Sequence, residues 1–247
     1  EAQYLEAFHA LQRDAAATDP AWLRDLRQAA IARFRQMGFP VARRGNEEWK
    51  YTDLRPLART PFQPLPPPAP ALPPQEVAPF TFGEARWNLL VFVDGAYAPH
   101  LSSLPSRPPG VQVTRLAEAL RTRPDVVHRH LARYADDEDN AFTALNTAFL
   151  RDGALVELPD GAVVEEPLHL LFLSTPRPDL AIHPRVLIVA GRLSHATVLE
   201  QYAALGDARS FTNAVTEVVL GPGAVVRYHK LQRQSPQAYH LTTTQVA

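Results

Sequence analysis

The sequence predicts a mainly β fold behind N-terminal helices, with a β-solenoid as its core. Three observations carry this. First, no helical period recurs after residue 152, over about ninety residues. Second, β-branched and apolar runs take its place: "LHLLFL", "RVLIVA", "LSHATVLEQY" and "FTNAVTEVVL", with glycine and proline between them and rarely inside. Third, "DGALVE" at 152–157 returns as "DGAVVE" at 160–165, and "GPGAVV" at 221–226 echoes both. Several runs are apolar on both faces and their joints are mixed, where hairpins favour two-residue primed turns. Stacked coils that bury an inner face fit this texture. An antiparallel sandwich is the rival arrangement.

Residues 1–60 read as a helical region. Tyr4, Leu5, Phe8 and Leu11 recur at helical spacing. Asp19-Pro20 reads as a capping carboxylate followed by proline at the first helical position. Leu23, Leu26, Ala30, Phe34 and Met37 form the next stripe, which Gly38 and Pro40 end. Residues 61–79 hold nine prolines and predict a semi-rigid strap. A mixed region follows over 80–151. In it "NLLVFVDGAY", 88–97, reads as a buried strand ending in an Asp-Gly turn. Helices are expected at 114–121, 124–134 and 140–151, the last capped by Asn140. The solenoid occupies 152–247, and its final "YHLTTTQVA" reads as a strand that stops. With Glu as residue 1, this suggests a piece of a longer protein.

Composition narrows the function. Apolar residues make up 46% and charged residues 21%, which is globular usage. A net charge of −1 gives no electrostatic case for nucleic acid or anionic lipid as partner. Cysteine is absent, so no thiolate of these residues acts as nucleophile or soft metal ligand. This usage fits a reducing compartment, and a cytoplasmic location is expected. Only Lys50 and Lys230 are lysines, and neither follows a glycine, which excludes a P-loop. Gly221-Pro222-Gly223 lacks the third glycine and the helix of a dinucleotide fingerprint.

Three constellations remain as candidates. His183, His195, His229 and His240 could converge on adjacent rungs with Glu200 or Glu217 as a metal site, although backbone-bonded histidines are the plainer reading. His128 and His130 face about 200° apart on a helix and do not suit one metal. A solenoid carbohydrate-active enzyme would need two acids from neighbouring strands. Its stock is Glu157, Glu165, Glu166, Glu200 and Glu217, with Glu157 and Glu165 at matching places in the echo. Arg43 and Arg44 with Trp49 and Tyr51 could stack a base or a flavin, with packing as the plainer reading. Asn46 is placed to cap a short helix whose first turn holds Glu47 and Glu48. Of Trp49 and Tyr51, one is expected to anchor in the core and the other to cover the start of the strap.

Two long segments resemble one family. "NEEWKYTDL", 46–54, resembles the N-terminal signature of the SufD side of the SufB/SufD family. "ALNTAFLRDGALVELPDGAVVEEPLHLLFL", 144–173, resembles the entry into the core that the two sides share, and "GPGAVVRYHKLQ" and "AYHLTTTQV" continue it. The resemblance implies a right-handed parallel β-helix behind N-terminal helices. It implies a non-enzymatic scaffold subunit in iron–sulfur cluster assembly, supporting iron acquisition, that pairs with a SufB-like subunit and a SufC-like ATPase. It places the iron–sulfur cluster and a flavin at the level of the whole complex and no cofactor in this segment. It carries over no catalytic, cofactor-binding or metal-binding residue, because the family's functional positions match nothing here. The rival readings from the residues are the carbohydrate-active solenoid and a free-standing metal-binding module.

Overall fold

A computed structural model describes residues 2–15, 19–42, 47–105 and 107–247. Its helices are α1 (Ala2–Ala15), α2 (Ala21–Met37), α3 (Arg55–Arg59), α4 (Pro74–Val77), α5 (Leu116–Thr122), α6 (Pro124–His130) and α7 (Ala141–Ala148). Its strands are β1 (Asn88–Val93), β2 (Ala96–Tyr97), β3 (Gln112–Arg115), β4 (Gly153–Leu158), β5 (Leu168–Ser174) and β6 (Leu180–Ile182), then β7 (Arg185–Ala190), β8 (His195–Ala204), β9 (Ser210–Leu220), β10 (Val225–Arg233) and β11 (Tyr239–Val246).

From β4 onward the chain alternates between two sheets. One runs β11-β9-β7-β4-β3, with β6 also on β9; the other runs β10-β8-β5-β1-β2. Every pairing between successive coils is parallel, and the antiparallel pairs are the edge pairs β1–β2 and β3–β4. Leu168 pairs with Val198 and Arg185 with Val215, thirty positions apart in each case. This is a parallel β-solenoid of about three turns, as the strand texture predicts. The sheets also take in two segments from before residue 152, since β1 lies parallel beside β5 and β3 closes the edge at β4.

The coil repeats because its turns repeat. Gly161, Leu193 and Gly223 occupy one turn position in successive coils and all take positive φ, at 71°, 56° and 72°. The residues two places on, Val163, His195 and Val225, stay in register. The "GPGAVV" echo of "DGAVV" is therefore a true stack two coils apart. The "DGALVE" echo is not: its eight-residue offset falls inside one coil, and Glu157 pairs across with Val189.

Inside the solenoid the two sheets bury Leu90, Phe92, Val156, Leu170, Phe172, Ile188 and Val198. Phe92, Phe172 and Tyr202 share one register and stack with centroids 4.8 and 5.0 Å apart. Helices α1, α2 and α7 cover the outer face of the first sheet through Tyr4, Phe8, Phe34, Phe142, Phe149 and Phe211. Tyr4 meets Phe34, Phe39 and Phe149 edge-on, at 6.0, 5.7 and 5.9 Å. The proline-rich strap bridges to the solenoid at Gln63–Leu180, and its Leu72 and Val77 pack on the outer face of the second sheet.

Local chemistry explains the remaining boundaries. Asn140 caps α7 as expected, its Oδ1 accepting from the Phe142 and Thr143 amides at 3.0 Å each. Asp19 does not cap α2. Pro20 is the residue flanking that helix, and the Asp19 carboxylate instead pairs with buried Arg27. The expected helix at 114–121 loses its first two residues to β3, because pairing with β4 satisfies their backbone. The helix at 124–134 ends at His130, before the positive φ of Ala132 (55°). The helix at 140–151 ends at Ala148.

Candidate functional site

The chemistry-bearing residues gather in two buried clusters. The first lies inside the solenoid, where alternation aims every second residue of β8, β9, β10 and β11 inward. Leu90, Leu170, Glu200 and Lys230 form one register column, so the third coil replaces a leucine by a carboxylate. Glu200 is wholly buried. Its Oε1 accepts from Tyr202 Oη at 2.6 Å and lies 3.2 Å from Lys230 Nζ. Its Oε2 accepts from Tyr228 Oη at 2.7 Å and Thr216 Oγ1 at 2.8 Å. Lys230 Nζ also donates to Thr242 Oγ1 at 2.5 Å. Burial, with the Glu200 charge beside them, pushes both phenols far above their ordinary range and holds them as donors. Each acceptor of the carboxylate is filled, as a buried charge requires.

The second cluster lies on the outer face of the first sheet. Arg185 and Glu217 are both wholly buried, with Nη2 and Oε2 2.7 Å apart. Arg185 Nη1 donates to Asn146 Oδ1 at 3.0 Å, and Asn146 Nδ2 donates to the Pro184 and Asn213 carbonyls. Glu217 accepts the amides of Ala132, Arg133, Tyr134 and Ala135 at 2.8 to 3.1 Å. Burial alone would raise its pKa; Arg185 and the amides outweigh burial and hold it below the ordinary glutamate value. The pair ties the turn after α6, and α7 itself, to β7 and β9.

The four strand histidines do not converge. His240 faces the solenoid interior, its ring 4.7 Å from that of Tyr202, and burial, then Lys230, lowers its pKa to about 4. His183 lies on the opposite face of the first sheet, stacked 5.2 Å from Phe149 and lowered by burial to about 3. His195 and His229 are exposed. Among the described residues no group of three or more His, Asp or Glu could hold a metal ion. His128 packs 4.8 Å from Trp22, and His130 Nδ1 meets Tyr134 Oη at 2.8 Å.

The paired-acid arrangement fails as well. Glu157 is clamped by Arg123, with Nε 2.8 Å from Oε2, on the first sheet. Glu165 is exposed in the connection to the second sheet, and Glu166 Oε1 lies 3.4 Å from Arg86 Nε. Glu200 of β8, in the second sheet, points into the solenoid interior, whereas Glu217 of β9 points to the outer face of the first sheet, so the two enter separate networks. In the aromatic segment Glu47–Trp49 forms a single 3-10 turn. Trp49 packs 5.3 Å from Phe142, which is the expected anchor. Tyr51 does not cover the strap; it is 89% exposed beside Lys50. Arg43, Arg44 and Asn46 lie outside the described residues.

The partners that bury Glu200 and Glu217 went unread in the sequence. Lys230 sits thirty positions after Glu200, one coil length, but that length is visible only once the strands are paired. The alternation of Val226, Tyr228 and Lys230 was the available signal.

Comparison with known proteins supplies the family. A model of the SufBD protein N-terminal region matches residues 1–170, and a model of the SUF system FeS cluster assembly SufBD core domain matches 172–247. An iron–sulfur cluster assembly SufBD family protein of Synechocystis sp. is 29% identical over 242 residues, 93% of this chain and 52% of that protein. The iron–sulfur cluster assembly protein SufD of Bacillus subtilis is 26% identical over 92% of this chain and 51% of its own length. SufB of the same organism is 29% identical over 51% of this chain and 27% of its own length. The chain thus spans about half the length of the curated relatives that it matches from end to end. Together the two family models account for nearly every residue, and the chain belongs to the SufBD family of the SUF iron–sulfur cluster assembly system.

Proposed function

We propose that the chain is the N-terminal part of a SufD-like scaffold subunit. It works beside a SufB-like subunit and a SufC-like ATPase in cluster assembly and iron acquisition, in the cytoplasm. One observation carries the SufD side: the match to SufD of Bacillus subtilis runs over 92% of the chain, whereas the match to SufB of that organism runs over 51%. The absence of cysteine supports the same side, because these residues offer no thiolate to carry sulfur or hold a cluster. The cluster is cargo of the assembly and not a resident group of this segment.

The role proposed is positional. Parallel coils with a filled interior make a stiff rod, and the helices and strap fix surfaces along its two sides. The buried charges serve that stiffness, since Glu200 and Glu217 spend their oxygens on the protein's own donors. Nucleotide hydrolysis belongs to another chain, as no phosphate-binding loop occurs here. Among the described residues no helix is long and apolar enough to cross a membrane.

Anaerobic co-expression of the full-length protein with SufB-like and SufC-like partners tests the reading. Co-elution of all three on a sizing column is the expected result. A protein that elutes alone under those conditions overturns it.

A further inference from the structure

The proline-rich strap crosses the solenoid between two anchors. At the first, Phe62 is buried against Phe211 and Tyr239. Beside it, Gln63 N donates to the Asp179 carbonyl at 2.7 Å, and the Gln63 carbonyl accepts from Ala181 N at 2.9 Å. At the second, Leu72 and Val77 are buried on the second sheet, and His100 Nε2 donates to the Leu72 carbonyl at 3.1 Å.

The span between the anchors, residues 66–71, is held differently. Hollows lie against it in place of a filled core. One, of about 470 Å³, has Pro66, Pro67 and Pro68 on the strap side, with Tyr97 and Ile182 among the residues opposite. Another, of about 480 Å³, lies beside Pro70, against Pro176 and Leu205. Ala69 packs lightly on the apolar cluster of Leu72 and Val77. Four of the six residues are prolines with no N–H to give. The two N–H groups that remain, on Ala69 and Ala71, meet no backbone carbonyl among the described residues. One side chain fastens the span: Arg177 Nη1 donates to the Pro68 carbonyl at 3.0 Å. Asp94 Oδ2 lies 4.0 Å from that nitrogen, and Asp94 is itself fixed by Thr175 N and Oγ1 at 2.8 and 2.7 Å. Consecutive prolines keep the span extended and stiff. Ala71 is the only residue from Gln63 to Pro74 that is neither proline nor followed by proline, so it escapes both restrictions on the backbone.

We propose that residues 66–71 form a lid, latched by Arg177 and hinged at Ala71, which lifts as a stiff unit and uncovers both hollows while the solenoid stays folded. Lifting breaks one charge-assisted hydrogen bond and the light packing of Ala69; it breaks no backbone ladder. Local openings of this kind occur well below the free energy of global unfolding. Both anchors stay seated, so the lid is independent of the scaffold role.

Thiol labelling of the full-length protein tests the proposal. Ile182, in the wall of the first hollow, is 4% exposed, so Ile182→Cys places a reporter thiol beneath the lid. Reaction with N-ethylmaleimide is followed at that residue by peptide mass spectrometry. Labelling is expected to run at least tenfold slower than in the urea-unfolded chain. Below the unfolding transition its rate should hardly change with urea, because lifting the lid exposes little surface. In that urea-independent range, Arg177→Ala should speed labelling by about tenfold or more, through loss of the latch. Ala71→Pro, which removes no hydrogen bond, should slow it several-fold by stiffening the hinge. Labelling that follows the urea dependence of global unfolding overturns the proposal. So does labelling as fast as in the unfolded chain, or a rate unchanged by Arg177→Ala.

Discussion

Replacing Glu217 by Ala strands Arg185 in a site with no exposure and frees four amides that had one acceptor between them. Breaking a buried pair from one side costs about 3–5 kcal/mol, so Glu217→Ala should lower the urea unfolding free energy by that order. A loss below about 1 kcal/mol, the scale of an exposed pair, would contradict the network drawn here. Two buried histidines and the half-buried His240 set a pH dependence. His169, His183 and His240 are lowered to about 4, 3 and 4, each chiefly by burial. The unfolded chain takes up these protons near pH 6.5 and the folded chain does so only well below it. Stability is therefore full above about pH 6.5 and falls as pH drops toward 4, by up to about 1.4 kcal/mol per pH unit for each group. Urea midpoints measured from pH 7.5 to 4.5 should show the decline, and His183→Phe should make it shallower. These residues were visible in the sequence as polar letters in strands. Their faces were not, because face follows from register, and register needs the thirty-residue coil.

At the scale of the element, the coil turns carry the sharpest steric test. A Cβ on Gly153, whose φ is 154°, would lie 1.7 Å from the Arg185 carbonyl oxygen of the next coil. Gly153→Ala should therefore prevent β4 from pairing with β7 and leave the protein insoluble or unfolded by circular dichroism. Gly161 also has positive φ, at 71°, but a Cβ there meets nothing within 4 Å. Gly161→Ala should pay only the left-handed backbone term, about 1–2 kcal/mol, and still fold. The solenoid class was legible from alternating apolar runs and Gly-Pro punctuation. The rung spacing was half legible: the "GAVV" of 161–164 and 223–226 is a real stack, but the coil between them carries Arg192-Leu193 at the same turn and hides the repeat. Helix ends were misread where tertiary pairing overrode local signals, as at β3 and at Asp19, whose carboxylate found Arg27 before it found an amide.

At the scale of the molecule, the aromatic segment joins helices to solenoid. Trp49 rests on Phe142 of α7, which in turn meets Phe211 of β9 at 6.3 Å. Trp49→Ala should cost roughly 1–3 kcal/mol, less than a fully buried aromatic, and Tyr51→Ala should leave stability unchanged. Thermal melts of the two variants check the contrast. Equal losses would show that Tyr51 packs somewhere in the assembled fold. The family was legible from the same segment, yet its acids and aromatics perform no visible chemistry. Their specificity lies in how they seat one part of the fold on another.

The central claim is that this protein contributes position and not chemistry to cluster assembly. The most direct measurement is cluster formation by the assembled complex, followed by visible absorbance, with a full-length variant carrying Glu157→Gln, Glu165→Gln, His195→Ala and His229→Ala together. The account predicts a rate within about twofold of the parent, since the proposed positional role assigns none of these groups to a reacting atom. A loss of about a hundredfold or more in a complex that still assembles would place a catalytic group among them and contradict the account.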